Sequence, residues 1–375
     1  MPEIPDALNS LYQRAEAAVA SLLSQTHFLF TVADQPKGTF KVTHWQGSEK
    51  ISTSYRYTLN LAARGVVDEA KILGKDATLS INREGEMRVI HGYVGEINDI
   101  GPLVSDHAEE YRVVIASPLS KLNLTRQCRV FLNLDLKSVI EQVLLTAGFA
   151  ATSFRIDLKS AYPVREYIAQ YNETDFNFLS RLLEHAGVFY SFVQQDEQAL
   201  LVIRDDSALL PPMAGAGALI YVPASGQVEG RESVQLLQKE QNYLSKSVKR
   251  KDYNYRTPES NLLGEATTRS KLPAGGTDYV CCEHTLSLEE SEQLIYRRLE
   301  AIDCQREVYI AETNCRGMTS GTTFSIGGHP QDHYNGDYLV VSVLHWGDQP
   351  PLPSAAPAKS RPPARWVKPR PTTTN

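Results

Sequence analysis

The hydrophobic period of this chain changes twice between Arg165 and Phe192, in the stretch REYIAQYNETDFNFLSRLLEHAGVFYSF, and that change constrains the fold more than any other feature. In REYIAQY, Tyr167, Ala169 and Tyr171 alternate with Glu166, Ile168 and Gln170, which is the period of a strand. From Phe176 onward, at about 100° per residue, Leu179, Leu182, Leu183 and Ala186 gather on one side of a helix. Asn177, Arg181, Glu184 and His185 gather on the other. Gly187 is the residue type that closes a helix in the left-handed conformation. VFYSFV then returns to the aromatic and β-branched composition of strands, and LLVIRDD reads as its hairpin partner. A unit of strand, helix, strand and hairpin buries its helix stripe against a sheet, so the chain contains an α+β module.

The flanking sequence is mostly β. FLFTV, FKVTH, YRYTLNLA, ATLSI, MRVIHGYVGEI and YRVVIAS follow one another between Phe28 and Ser117, short runs that predict an antiparallel sheet that curls or closes. DLKSVIEQVLLTAG at 135–148 carries the helical stripe Val139, Ile140, Val143 and Leu144. After a breaker-rich crossing at 210–230, which reads as a boundary or long surface loop, VEGRESVQLL, KSVKRKDYNYR and DYVCC look like strands. SLEESEQLIYRRLEA opens with a capping box, Ser287 and Glu290, and places Leu288, Ile295, Leu299 and Ile302 on one side. VYIAET, TTFSI and DYLVVSVLHW close the series. Thr78-Leu79-Ser80-Ile81 before Gly92 echoes Thr323-Phe324-Ser325-Ile326 before Gly336, which suggests two related barrels. The expected class is α+β, mainly β, with two related barrel-like domains, an inserted strand-helix-strand module and few helices. Residues 1–26 form an amphipathic helix, with Asp6 as N-cap and Leu8, Leu11, Tyr12, Ala15, Val19, Leu22 and Leu23 on one face. Residues 27–120 form the first barrel-like domain, 121–210 the α+β module, and 211–348 the second barrel-like domain with its capped helix at 287–301. Residues 349–375, dense in proline, form a basic tail or linker that is extended and exposed, without sheet or helix.

Charge and cysteine use narrow the function. The net charge is −6, yet the tail holds Lys359, Arg361, Arg365, Lys368 and Arg370 and no acid, so the rest of the chain carries −11. So acidic a body argues against binding a duplex, whose affinity comes from phosphate contacts. Lys249, Lys251, Tyr253 and Tyr255 interleave in a way that suits single strands, but lysines on a strand also guard a sheet edge. Cys128, Cys281, Cys282, Cys304 and Cys315 are odd in number and irregular in spacing, and read as free thiols of a reducing compartment. On adjacent strand positions, Cys281 and Cys282 are expected one inward and one outward. No apolar run reaches the ~18 residues of a membrane span, and the N-terminus lacks a secretory signal, so synthesis in the cytoplasm is expected.

Catalytic patterns are sparse. His329 and His333 have zinc-ligand spacing, but the proline and glycine of GGHPQDHYNG break the helix that would aim both at one ion. There is no serine elbow or phosphate loop; Gly74-Lys75 lacks the upstream glycine and following hydroxyl, and AGAGA at 214–218 is half a dinucleotide fingerprint. Asp205-Asp206 and Glu289-Glu290 are adjacent pairs suited to a turn and a first helical turn. No catalytic residue, cofactor or metal ligand is assigned.

The pattern Arg165, Tyr167, Gln170, Tyr171, Glu173, Asp175, Phe178, Arg181, Leu182, Gly187 and Tyr190 resembles that of the N-terminal hub module of VgrG-type spike proteins of type VI secretion and related contractile injection systems. LGKDATLSI, then Arg88, His91 and Gly92, then YRVVIASPLSKLNLTRQCRVF and GDYLVVSVLH support it, in order, over roughly residues 28–346. Ile168 stands where the family often has cysteine. The resemblance implies a homotrimer whose two barrel-like tube domains per chain form a ring of six similar units matching a hexameric tube protein. It also implies needle or effector domains and baseplate proteins as partners, and delivery outside the cell through the apparatus. Complete members continue into a small oligonucleotide-binding-like barrel and a β-helical needle; neither pattern follows Trp346, so piercing is not expected of this chain alone.

The expected function is therefore a non-catalytic hub that seats a spike on a secreted tube, with no nucleic acid and no membrane insertion. In this reading Glu173, Asp175 and Arg181 set helix ends and polar contacts. One alternative is an adaptor that loads effectors through its N-terminal helix or proline-rich arm. Another is a cell-wall or peptide hydrolase, which requires at least two of His91, Glu96 and His185 to converge in a pocket.

Overall fold

A computed structural model describes residues 28–63, 65–83, 86–103, 108–215, 217–223, 232–349 and 364–367. The amphipathic helix expected at 1–26 lies outside the described residues.

The first third supplies β1 (Phe28–Val32), β2 (Phe40–Lys50), β3 (Thr53–Ala63), β4 (Asp76–Arg83), β5 (Glu86–Leu103) and β6 (Ala108–Ala116). In β3 the alternation read from sequence holds: Tyr55, Tyr57, Leu59, Leu61 and Ala63 are buried, and the residues between them are not. Its partner β2 keeps an inward face only by shifting phase. A bulge between Val42 and His44 moves burial from Phe40 and Val42 to Trp45, Gly47 and Glu49. A side chain at Gly47 would have to displace Tyr57, because a Cβ there would lie 2.1 Å from the Tyr57 ring.

The central module contains β7 (Arg126–Leu134), α1 (Leu136–Thr146), β8 (Phe154–Asp157), β9 (Arg165–Thr174), α2 (Asp175–Ala186), β10 (Phe189–Gln194) and β11 (Ala199–Arg204). β7 and β9 form a two-stranded antiparallel ribbon. β10 and β11 form the expected hairpin, with β8 added parallel to β11. Val139, Ile140, Val143 and Leu144 of α1 join Phe178, Leu179 and Leu183 of α2 in one core with Phe131, Leu201 and Ile203. β11 is buried along its whole length, and Ala199 belongs to the core of the first third, so this strand lies between two cores.

The last part contains β12 (Ala218–Tyr221), β13 (Ser233–Gln241), β14 (Ser247–Asp252), β15 (Leu262–Thr267), β16 (Thr277–Cys281), α3 (Leu288–Asp303), β17 (Glu307–Thr313), β18 (Thr323–Gly327), β19 (Gly336–Asp348) and β20 (Ala364–Val367). A twelve-stranded sheet runs β1-β4-β5-β6-β3-β2-β19-β18-β12-β13-β17-β20. Its two six-stranded halves meet where β2 pairs with β19, from His44 with Asp348 to Lys50 with Ser342. In the second half β20 also pairs with β19, so the pairings return to their start. The TLSI and TFSI echo falls on strands that share a hairpin pairing and a buried phase. β4 and β18 each open an antiparallel hairpin, with β5 and β19, and bury Leu79 with Ile81 and Phe324 with Ile326 in the same phase.

Four expectations are corrected. The 210–230 crossing contains a strand: Ala218–Tyr221 has three apolar residues and a tyrosine that the surrounding breakers obscure. The tail expected to hold no sheet contributes β20, because the prolines leave a gap between Pro363 and Pro369 in which Ala364 to Val367 keep their backbone donors. Cys281 and Cys282 are both exposed, since β16 ends at Cys281 and Cys282 turns away at φ 64°. On α3 the buried residues include Leu294, Ile295 and Leu299, while Leu288 in the first turn is exposed. The five cysteines form no disulfide. Among the described residues no helix is long and apolar enough to cross a membrane.

Candidate functional site: the strand-helix junction and its surroundings

The junction is built from β9 and α2. Thr174 caps α2 by accepting from the backbone N–H of Asn177 at 3.1 Å, and Gly187 ends it at φ 68°. The N–H of Val188 then bonds the Leu183 carbonyl at 2.8 Å. A Cβ on Gly187 would lie 2.6 Å from Arg297 Cδ, so the cap is also where α3 approaches α2. Arg297 donates from Nη1 to the Ala186 carbonyl at 2.6 Å.

Gln170 and Asp175 are 2% and 3% exposed, and they are satisfied by a residue the sequence reading did not single out. Arg129 of β7 donates from Nε to Gln170 Oε1 and from Nη2 to Asp175 Oδ1, both at 2.7 Å. Gln170 Nε2 donates to the same Asp175 oxygen at 2.8 Å and to the Glu173 carbonyl at 3.1 Å. The backbone N–H of Asp175 bonds the Thr125 carbonyl at 3.1 Å. The clasp ties the ribbon to the start of the helix and leaves no buried charge unpaired. Arg129 lies more than forty residues upstream of its partners. Its only sequence signal is a cation interrupting the apolar run of CRVFL.

Glu173 and Arg181 form a two-pronged pair, 2.7 Å and 3.3 Å, and Arg181 also reaches the Ala169 carbonyl at 3.1 Å. Phe178 is fully buried and stacks on Phe131 at 5.4 Å, with Arg129 near Phe131 and Arg181 near Phe178. Leu182 is half-buried against the same core. Burial pushes the Tyr190 hydroxyl up to about 12. The backbone carbonyl of Tyr190 accepts from the Ser52 N–H at 2.8 Å, a link to the β2–β3 turn. Arg165 donates to the His284 carbonyl at 3.1 Å and pairs with Glu290, whose other oxygen accepts from the Leu286 N–H at 2.9 Å. Tyr167 and Tyr171 point outward, 62% and 82% exposed.

The residues of the hydrolase alternative do not converge. His91 lines a cleft of about 650 Å³ and contacts Thr78 and the Gln195 carbonyl. His185 lines a different cleft, of about 560 Å³, with Glu283 at 3.9 Å. Glu96 lines neither and pairs with Arg56 at 2.7 Å. His329 sits between the rings of Tyr221 and Tyr334, and its Nδ1 accepts from the Gln331 N–H. Among the described residues no three His, Cys, Asp or Glu side chains are placed to share an ion. In β14, Lys249 and Lys251 face away from α3 while Arg250 is buried against Glu283, and Tyr253 and Tyr255 follow the strand as exposed loop residues.

A second polar cluster lies where the sheet halves join. Glu49 of β2 accepts from the Tyr57 hydroxyl, from Arg88 Nη2 at 2.7 Å and from the Ser320 N–H at 3.2 Å, with His345 Nε2 at 3.5 Å. Arg88 also bonds the Arg316 carbonyl at 2.8 Å, and Arg316 returns a bond to the Asn82 carbonyl at 2.8 Å. Burial opposes the charge on Glu49, but Arg88, His345 and Tyr57 outweigh it and hold the carboxyl at about 2. Burial and the Arg88 charge keep His345 below its ordinary value. Burial and the Glu49 charge push the Tyr57 hydroxyl well up. These are architectural ties between distant strands, not acid and base facing a common space.

Residues 48–351, which span the join between the two sheet halves, match the phage tail baseplate hub (GPD) family, to which the chain therefore belongs. Among its relatives is the type VI secretion system spike protein VgrG1a of Pseudomonas aeruginosa, 28% identical over 305 residues, which cover 80% of this chain and 46% of that protein. VgrG4b of the same organism is 28% identical over 334 residues, 87% of this chain and 40% of that protein. The chain thus spans less than half of these spike proteins. The actin cross-linking toxin VgrG1 of Vibrio cholerae is 25% identical over 83% of this chain and 29% of that protein. In fold, the E. coli c3393 protein, a type VI secretion component described as similar to the T4 bacteriophage tail proteins gp27 and gp5, superposes with TM-score 0.63 at 16% identity, covering 90% of this chain and 75% of that one. A 43 kDa prophage tail protein from Shewanella oneidensis does so with TM-score 0.60 at 14% identity, covering 91% and 96%.

Proposed function

We propose that this chain is the hub of a contractile-injection spike: three copies assemble, and their paired sheet halves present six similar units to the end of a hexameric secreted tube. The observation that carries the reading is the joined pair of six-stranded halves, each with the same buried phase in its TLSI or TFSI hairpin. Three copies of a doubled unit give a quasi-sixfold face, so one kind of contact can be used repeatedly. The role is non-catalytic, and the eleven pattern residues from Arg165 to Tyr190 serve architecture. The domains read from sequence, 27–120, 121–210 and 211–348, are the units of that hub. The needle, effector domains and baseplate proteins are its other partners; the chain is made in the cytoplasm and leaves through the apparatus. The spike relatives support this reading, as does the separation of His91, Glu96 and His185.

The test is co-sedimentation of the purified chain with rings of the cognate tube protein, followed by quantitative gel analysis. Three chains per hexameric ring are expected. Rings that pellet without the chain at micromolar concentrations contradict the seating role.

A further inference from the structure

The outward face of the β7–β9 ribbon is largely uncovered in the single chain. Pairing places Val130 opposite Ala169 and Leu132 opposite Tyr167, with Cys128 and Tyr171 continuing the face toward the other end, where the Asn172 N–H bonds Cys128 Sγ. None of these six side chains is charged. Val130, Leu132, Tyr167 and Tyr171 are 47%, 60%, 62% and 82% exposed, whereas the opposite face carries the buried Phe131 and Gln170. A strand face that is apolar and left exposed is a face built to be covered. The charge that normally blunts such a ribbon stands only beyond these six positions, at Arg165 opposite Leu134.

We infer that this face is the contact between copies of the chain, packed against the neighbouring subunit. The inference rests on the assembly proposed above and names the surface that makes it. Two features select a second copy as the occupant. The four large side chains present roughly 500 Å² of apolar surface, if an aromatic residue offers about 200 Å² when bare. That is more than half of the about 800 Å² each partner gives to a stable interface. Permanent contacts between copies resemble a domain core cut in two, whereas partners that come and go meet across more polar surfaces. A face with no charge among six positions belongs to the first kind.

Light scattering of the full chain during size-exclusion chromatography tests this with two variants, Leu132→Glu with Tyr167→Glu, and Val66→Glu as a control at another exposed apolar site, 85% exposed. Circular dichroism checks that both keep the wild-type spectrum, as substitutions at exposed positions should. The expected result is a wild-type and control mass of three chains, and for the double variant a shift to the single-chain mass across at least a hundredfold range of concentration. A double variant that retains the three-chain mass overturns the assignment of the face and leaves the hub reading standing. A wild type that is monomeric throughout overturns both.

Discussion

Glu49 is a carboxylate inside a β-sheet core that stays ionised, and this makes the fold sensitive to acid at one known place. Its ordinary value of 4.5 falls to about 2 in the fold. A depressed carboxylate contributes its stability in full above 4.5 and loses it as the pH falls toward 2, a loss of about 3 kcal/mol. His345 acts in the same direction. Its folded-state value lies below 6.5, so its contribution is complete above 6.5 and is lost as the pH drops through the lowered value. Thermal unfolding is therefore expected to weaken below pH 6.5 and most steeply between 4.5 and 2, with a shallower profile for Glu49→Gln. Identical profiles for the two proteins would show that the cluster does not couple to folding. None of this was legible in the sequence, because Glu49 and Ser320 are 271 positions apart and only the β2–β19 pairing unites them. Gln170, Asp175, Glu173 and Arg181 were legible, since they lie within three turns of chain; Arg129, which completes their clasp, was not.

At the scale of the element, α2 is the part most fully written in its own sequence. Its cap, stripe and terminal glycine all agree with the period read between Phe176 and Ala186. Gly187 carries the strictest demand, with a positive φ and Arg297 against it. Gly187→Ala is expected to cost about 1–2 kcal/mol for the left-handed backbone, with a further loss if Arg297 is moved off the Ala186 carbonyl. Urea unfolding measures this; a midpoint equal to wild type would mean that the α2–α3 contact does not depend on the cap. Elements that contradict their local composition were harder to read. β12 hides among glycines and prolines, and β20 fits into a gap between prolines because β17 and β19 offer it two edges. In both cases tertiary pairing decides what propensity disfavours.

For the whole molecule, what matters is that the two halves are one sheet. The hairpin echo indicated two related units, and the structure adds that β2 and β19 join them, with Glu49 to Ser320, Arg88 to Arg316 and Arg316 to Asn82 bonded across the junction. A join of this kind ties one half to the other through a backbone ladder as well as side chains, as the proposed seating role requires. The contact proposed between copies could not be read from alternation alone, because Tyr167 and Tyr171 look like ordinary strand residues until their face of the ribbon is seen to be exposed. The most direct measurement is electron microscopy of the purified chain, averaged without imposed symmetry. A three-fold ring with six sheet units around an axial channel is predicted; single-chain particles of about 42 kDa, with no ring at any concentration, would contradict it.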